Sequence, residues 1–92
     1  MKPIRFSGHA RVQMELRGAS EEEVSMSISS SEWMSAKMGK YKTKYRFDYN
    51  KISLINQNLY KYKEVEPIFA DEKDEVVVIT VKVYYSNEEG KR

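Results

Sequence analysis

Cysteine is absent from the chain, and histidine occurs once among its 92 residues, at position 9. Without cysteine the protein forms no disulfide, binds no metal through thiolates and has no cysteine nucleophile. Val12 and Gln13 stand where a second helical metal ligand would follow the histidine. Glycine-rich phosphate loops are missing too. The sequence therefore predicts neither a metal site nor a cofactor.

Long apolar runs are also missing. The longest, residues 76–83, includes Thr80 and Lys82 and is far shorter than the roughly 20 residues that a membrane-spanning helix needs. The first residues form no apolar signal core, so we expect a cytoplasmic protein without membrane contact. The 92 residues, 40% hydrophobic and 33% charged, predict one domain over 1–92, with 87–92 as a frayed tail.

A first short helix is predicted after Ser7, whose hydroxyl can cap the first turn. Gly18 suits the left-handed residue that ends a helix. At about 100° per residue, seven side chains fall on the arc that should face the protein. They are His9, Ala10, Val12, Gln13, Met14, Leu16 and Arg17.

A second helix is predicted from Ser20, which forms a capping box with Glu23. Val24 and Ile28 mark its buried side, and the serine run 29–31 ends it. The connection that follows, 32–39, is expected to cover an edge of the core. Its apolar side chains, which could instead form a partner surface, are Trp33, Met34 and Met38.

From residue 40 the apolar period changes to two, which predicts strands. A short strand is expected at 2–7, one strand at 40–49, and a hairpin of 59–69 and 75–85 around the turn 71–74. Pro67 belongs at an edge or bulge, where its missing amide is not needed. The last strand should place one apolar face inward, made of Val77, Ile79, Val81, Val83 and Tyr85. The predicted fold is α+β: two short N-terminal helices packed on a three- to four-stranded antiparallel sheet.

Residues 37–63 carry eight basic residues against one acidic residue, Asp48. Such a segment can attract polyanions, although lysines along a solvated strand can equally guard a sheet edge. The rings of the 40–49 strand alternate with its cations and should point into the core. The candidate nucleic-acid-binding residues, on this and later strands, are Lys40, Lys42, Lys44, Arg46, Lys61 and Lys82.

Several short motifs occur in a fixed order over residues 4–85. His9-Ala10 begins a helix, Arg17-Gly18-x-Ser20 is followed by glutamates, and YKEVEPIF at 62–69 leads to VITV and a closing Tyr84-Tyr85. This order resembles the prokaryotic domain-of-unknown-function family 4258. The helix–helix–sheet plan is in turn similar to the RelE, ParE and BrnT-like ribonuclease toxins, which an antitoxin protein neutralises.

Metal-free RNA cleavage needs a base for the ribose 2′-hydroxyl, cations for the phosphorane and an acid for the leaving oxygen. His9 or Glu15 could be the base, Arg17 and Lys63 are candidate cations, and Tyr84 could donate a proton or stack on a base. The sequence leaves two roles open for His9: chemistry in a site, or packing at the joint of helix and sheet.

Two functions follow as hypotheses. The first, which the resemblance and the basic segment together suggest, is a metal-independent endoribonuclease that acts on RNA or at the ribosome, the toxin of a toxin–antitoxin pair. The alternative is a non-catalytic module of the same fold that binds protein or nucleic acid.

Overall fold

The computed structural model describes residues 2–88, in which two α-helices pack on one face of a six-stranded sheet. In chain order the elements are β1 (Ile4–Phe6), α1 (Gly8–Arg17), α2 (Glu21–Ser30), β2 (Met34–Ser35), a 3-10 turn (Lys37–Gly39), β3 (Tyr41–Lys42), β4 (Tyr45–Ile52), β5 (Leu59–Asp71) and β6 (Val76–Ser86). The strand order is β1-β6-β5-β3-β2, and β4 also pairs with β5.

The α+β class with two N-terminal helices is confirmed, whereas the expected three to four antiparallel strands are wrong. The described residues form six strands, and β1 runs parallel to β6. A parallel pair requires a crossover connection, and part of the long chain between β1 and β6, including both helices, provides it. The core lies between the helices and the sheet and consists of Phe6, Ala10, Met14, Val24, Ile28, Val65, Phe69, Val76, Val78, Val81 and Val83.

The stretch expected as one strand over 40–49 is broken into β3 and β4, and both pieces pair with β5. Pro67 lies opposite the break, where its carbonyl accepts the Thr43 amide at 3.4 Å. Because the amide and carbonyl of a strand residue point to the same side, the missing amide of Pro67 also falls at the break. The proline is therefore in an interior strand, not at an edge. Ser27 of α2 packs at this break, where its hydroxyl oxygen forms a hydrogen bond of 2.9 Å with Thr43 Oγ1.

A bulge divides β6 into two halves. Ile68 pairs with Thr80, but Phe69 pairs with Val78, which leaves Ile79 as an extra residue. One extra residue reverses the alternation of a strand, so Val76 and Val78 enter the core in place of Val77 and Ile79. The predicted apolar face of this strand is correct only beyond the bulge, at Val81, Val83 and Tyr85.

Both helix starts are confirmed. The Ser7 hydroxyl accepts the Ala10 amide at 3.0 Å, and Ser20 and Glu23 form the capping box. The buried side of α1 is narrower than predicted, because this helix lies along the edge of the sheet beside β6. Ala10 and Met14 are buried, while His9 is exposed, as are Val12 and Leu16. In α2, Val24 and Ile28 are buried as expected.

The predicted tail, 87–92, lies outside the described residues except for its first two. In these two, Asn87 Oδ1 accepts the Lys61 amide at 2.8 Å, and the Glu88 carbonyl accepts Arg46 Nη1 at 2.9 Å. The frayed tail stays a prediction.

Gly18 ends α1 in the left-handed conformation, at φ +87°. A Cβ built at this position would lie 2.8 Å from the Tyr85 hydroxyl oxygen. That hydroxyl donates to the Arg17 carbonyl, so it has little freedom to move. Glycine is therefore required here both by backbone conformation and by the close approach of β6.

We expect Gly18→Ala to lower the free energy of unfolding by about 2 kcal/mol, since a left-handed alanine costs roughly 1–2 kcal/mol and the Tyr85 hydroxyl must shift. Gly8→Ala is the matched control, because nothing lies within 4 Å of a Cβ at that helical position. Urea unfolding of both variants measures the difference. Equal free energies of unfolding for the two variants would show that glycine is not required at position 18.

Candidate functional site

The four residues predicted to be catalytic do not lie together. His9 is in the first turn of α1 and Arg17 is its last residue, so a rise of 1.5 Å per residue separates them by about 12 Å. His9 is exposed, so the packed role considered for it is wrong. A chemical role for His9 stays a prediction, but Arg17 is too far away to act together with it. Glu15, the other candidate base, is also exposed on this helix.

Lys63 points from β5 to the helix side of the sheet and is 4% exposed. Its ammonium donates to the Gly18 carbonyl at 2.7 Å and to Glu23 Oε1 at 2.9 Å, and lies 4.9 Å from the centroid of the Tyr49 ring. The expected role of Lys63, offsetting charge on an RNA phosphate, does not fit this enclosure. The lysine instead joins both helices to the sheet.

Arg17, Lys82 and Tyr84 are brought together in one groove of about 590 Å³. The groove runs from the last turn of α1 across the edge of β6. Arg17 Nη1 donates to the Val81 carbonyl at 2.9 Å, which holds α1 against the strand, and Tyr84 is 45% exposed. The other residues that line the groove are apolar: Leu16, Leu54, Ile55 and Val83.

The sheet face opposite the helices, here called the outer face, carries most of the predicted nucleic-acid-binding cations. Val65 and Val83 pair with each other and point inward, so their neighbours along β5 and β6 point outward. The residues of the outer face used below are Lys42, Lys44, Arg46, Tyr62, Glu64, Glu66, Lys82 and Tyr84.

Glutamates of β5 stand between these cations. Lys42 Nζ lies 4.0 Å from Glu66 Oε2, and Arg46 Nε lies 3.8 Å from Glu64 Oε2. The basic segment 37–63 ends one residue before this pair of glutamates, although the register places them among its lysines. The positive potential of the outer face is therefore weaker than the linear sequence indicates.

Tyr84 and Glu66 form a hydrogen-bonded pair at the centre of the outer face. The Tyr84 hydroxyl lies 3.0 Å from Glu66 Oε1, and the Glu66 side chain is 9% exposed. Burial raises the pKa of Tyr84, and the hydrogen bond to Glu66 raises it further. Tyr84 therefore stays protonated at neutral pH and can act as a donor.

Lys40 and Lys61 lie apart from this centre. Lys40 Nζ contacts the Met38 carbonyl at 3.4 Å and lines a depression beside the β5–β6 turn. Lys61 is exposed near the start of β5.

The connection between α2 and β3 divides into a packed and an exposed part. Trp33 covers the edge of the core as expected. Its ring packs edge-on against that of Phe69, with 4.9 Å between the ring centroids, and its Nε1 donates to the Ile28 carbonyl at 2.9 Å. Met34 and Met38 are 47% and 89% exposed. The candidate partner surface therefore reduces to the two methionines.

No protein-family model matches the chain, and neither curated proteins nor solved structures gave a match. Membership of family 4258 therefore stays a prediction. Within residues 2–88, no group of three or more histidine, aspartate or glutamate side chains is placed to hold a metal ion. No helix in that range is long and apolar enough to cross a membrane.

Tyr62 and Glu66 were not among the residues predicted for the site. The signal that could have found them is the period of two in β5, where positions 62, 64 and 66 share one face with each other and not with Lys63 and Val65. Glu64 and Glu66 follow the basic segment 37–63, so the charge of the segment does not show that they face its lysines.

We expect Lys63→Met to lower the free energy of unfolding by about 3 kcal/mol, because it leaves Glu23 and the Gly18 carbonyl without their buried cation. Lys73→Met, exposed in the turn between β5 and β6, should change it by less than about 0.5 kcal/mol. Denaturant unfolding compares the two variants. A Lys63→Met protein as stable as wild type would show that the lysine has no structural role.

Proposed function

We propose that the protein binds RNA through its outer face and the adjoining groove. The observation that carries the proposal is the convergence of Arg17, Lys82 and Tyr84 on one groove, which runs from the last turn of α1 across the edge of β6 to the outer face. Two cations beside an exposed aromatic ring match the chemistry of a nucleotide, because a cation can bind its phosphate while the ring stacks on its base.

The outer face can follow a strand of RNA but holds it with few phosphate contacts. Lys42 ends β3 and Lys44 lies in the break before β4, and both are on the outer face, where each can bind a phosphate. Glu64 and Glu66 occupy the same face and repel the backbone at other points. We therefore infer a shallow salt dependence, corresponding to two or three phosphates rather than to a long basic track.

The resemblance to family 4258, and through it to the RelE, ParE and BrnT-like toxins, supports a narrower proposal: the bound RNA is cleaved without a metal ion. The Glu66–Tyr84 pair fits this chemistry. Glu66 would take the proton of the 2′-hydroxyl, the 2′-oxygen would attack phosphorus, and the bond from phosphorus to the 5′-oxygen would break. Tyr84 would give its proton to that 5′-oxygen, and Glu66 would return a proton to Tyr84.

The alternative is a binding module without catalysis. It is favoured by the placement of His9 and Lys63, since one lies at the far end of α1 and the other is enclosed under the helices. This module would bind nucleic acid or protein. Cleavage and non-catalytic RNA binding would use the same surface, so binding and cleavage have to be measured separately.

Lys82→Glu should weaken RNA binding by on the order of tenfold at low salt and reduce the slope of log affinity against log salt by about 0.7, as expected for one lost phosphate contact. Lys73→Glu is the control: it changes the net charge equally, but in the turn between β5 and β6. Fluorescence anisotropy with labelled RNA measures both. Equal effects of the two variants, or a wild type that binds no RNA, would overturn the proposal.

Tyr84→Phe should retain RNA binding but lower the cleavage rate by about 100-fold or more, because the ring remains while the proton donor is lost. Wild-type protein should cut RNA in the presence of EDTA, leaving 2′,3′-cyclic phosphate and 5′-hydroxyl ends, and its induction in cells should arrest growth. A wild type that binds RNA but leaves it intact would contradict the cleavage proposal and leave the binding module standing.

A further inference from the structure

Two tyrosine rings stand on the outer face, while the rings of the 40–49 stretch lie on the other side, as expected. Tyr41 and Phe47 pack against the core, and Tyr49 contacts Tyr85 at 5.2 Å between ring centroids. Tyr62 and Tyr84 are the outward rings. We infer that Tyr62 and Tyr84 form a stacking platform for two unpaired bases of single-stranded RNA, an inference that rests on the proposed RNA binding.

The strand register fixes the spacing of the two rings. Tyr62 of β5 pairs with Ser86 of β6, and Glu64 pairs with Tyr84. The tyrosines are therefore diagonal neighbours across an antiparallel pair of strands, which places their Cα atoms about 7–8 Å apart. Aromatic side chains on the open face of a sheet stack two or three successive bases in a common class of RNA-binding domain. The spacing here suits two bases.

Each ring of the platform has its own cation. The Arg46 guanidinium lies 4.8 Å from the Tyr62 ring centroid, and Lys44 Nζ lies 5.3 Å from that of Tyr84. A guanidinium plane is itself a surface on which a base can stack. Lys44 lies over the Tyr84 ring, so it would move aside to the phosphate of the nucleotide that stacks there. The same pairing of ring and cation thus occurs twice, once per base.

This arrangement selects single strands. In a duplex the faces of the bases are covered by their neighbours, so two protein rings cannot stack on them. Stacking uses the π face that every base has and reads no sequence. The interleaved glutamates also reduce the attraction of the surface for the dense charge of a duplex. The ligand class that fits is therefore an unpaired RNA segment, with little preference among bases.

The test uses an eight-nucleotide RNA without self-complementarity, labelled with fluorescein, either alone or annealed to its complement. We expect the wild type to bind the single strand at least about tenfold more tightly than the duplex. Tyr62→Ala and Tyr84→Ala should each weaken single-strand binding by about 5- to 30-fold. Tyr62→Phe and Tyr84→Phe keep a ring at the same place and should stay within about twofold of wild type.

Circular dichroism and thermal melting check that each variant is folded. Tyr62→Leu and Tyr84→Leu replace any alanine variant that is not, because leucine keeps apolar bulk but has no π face. A wild type that binds neither RNA removes the proposed function itself. Two results would overturn the platform while leaving RNA binding in place. One is equal affinity for the single strand and the duplex. The other is an alanine or leucine variant that binds the single strand as tightly as the phenylalanine variant at the same position.

Discussion

The buried ammonium of Lys63 is the interaction on which the arrangement of helices and sheet depends. It stands at the meeting point of three elements, with the end of α1 and the start of α2 both bound to a side chain of β5. The last carbonyls of a helix have no partner within the helix. In α1 the sheet supplies partners for two of them, because Lys63 binds the Gly18 carbonyl and Tyr85 donates to that of Arg17. Burial raises the pKa of Tyr85 to about 12, so this second donor keeps its proton.

Features set by a few neighbouring residues were predictable from the sequence. The caps at Ser7 and Ser20, the glycine that ends α1 and the hairpin turn all depend on side chains within one turn of the backbone. The hairpin turn, expected at 71–74, lies at 72–75. Alternation also placed the cations of the 40–49 stretch outward and its rings inward. These predictions required no knowledge of which strands are neighbours.

Features that depend on strand pairing were not predictable in the same way. The bulge at Ile79 and the break opposite Pro67 follow from how β5 meets its neighbours, and each changes which residues face the core. The exposure of His9 follows from the position of α1 along β6, which helical periodicity does not specify. The candidate site shows the same limit: its lysines were found by charge, but the glutamates and the tyrosine beside them are neighbours only across strands.

Strand β5 carries charge on both of its sides, with Lys63 beneath the helices and Glu64 and Glu66 on the outer face. A shift of one residue in the pairing of this strand would exchange its two sides. The carboxylates would then be enclosed next to Glu23, and the ammonium would lose both of its acceptors. Opposite charges on adjacent residues of β5 therefore make a pairing shifted by one residue less stable than the observed one. A strand made only of valines would have no such preference between the two pairings.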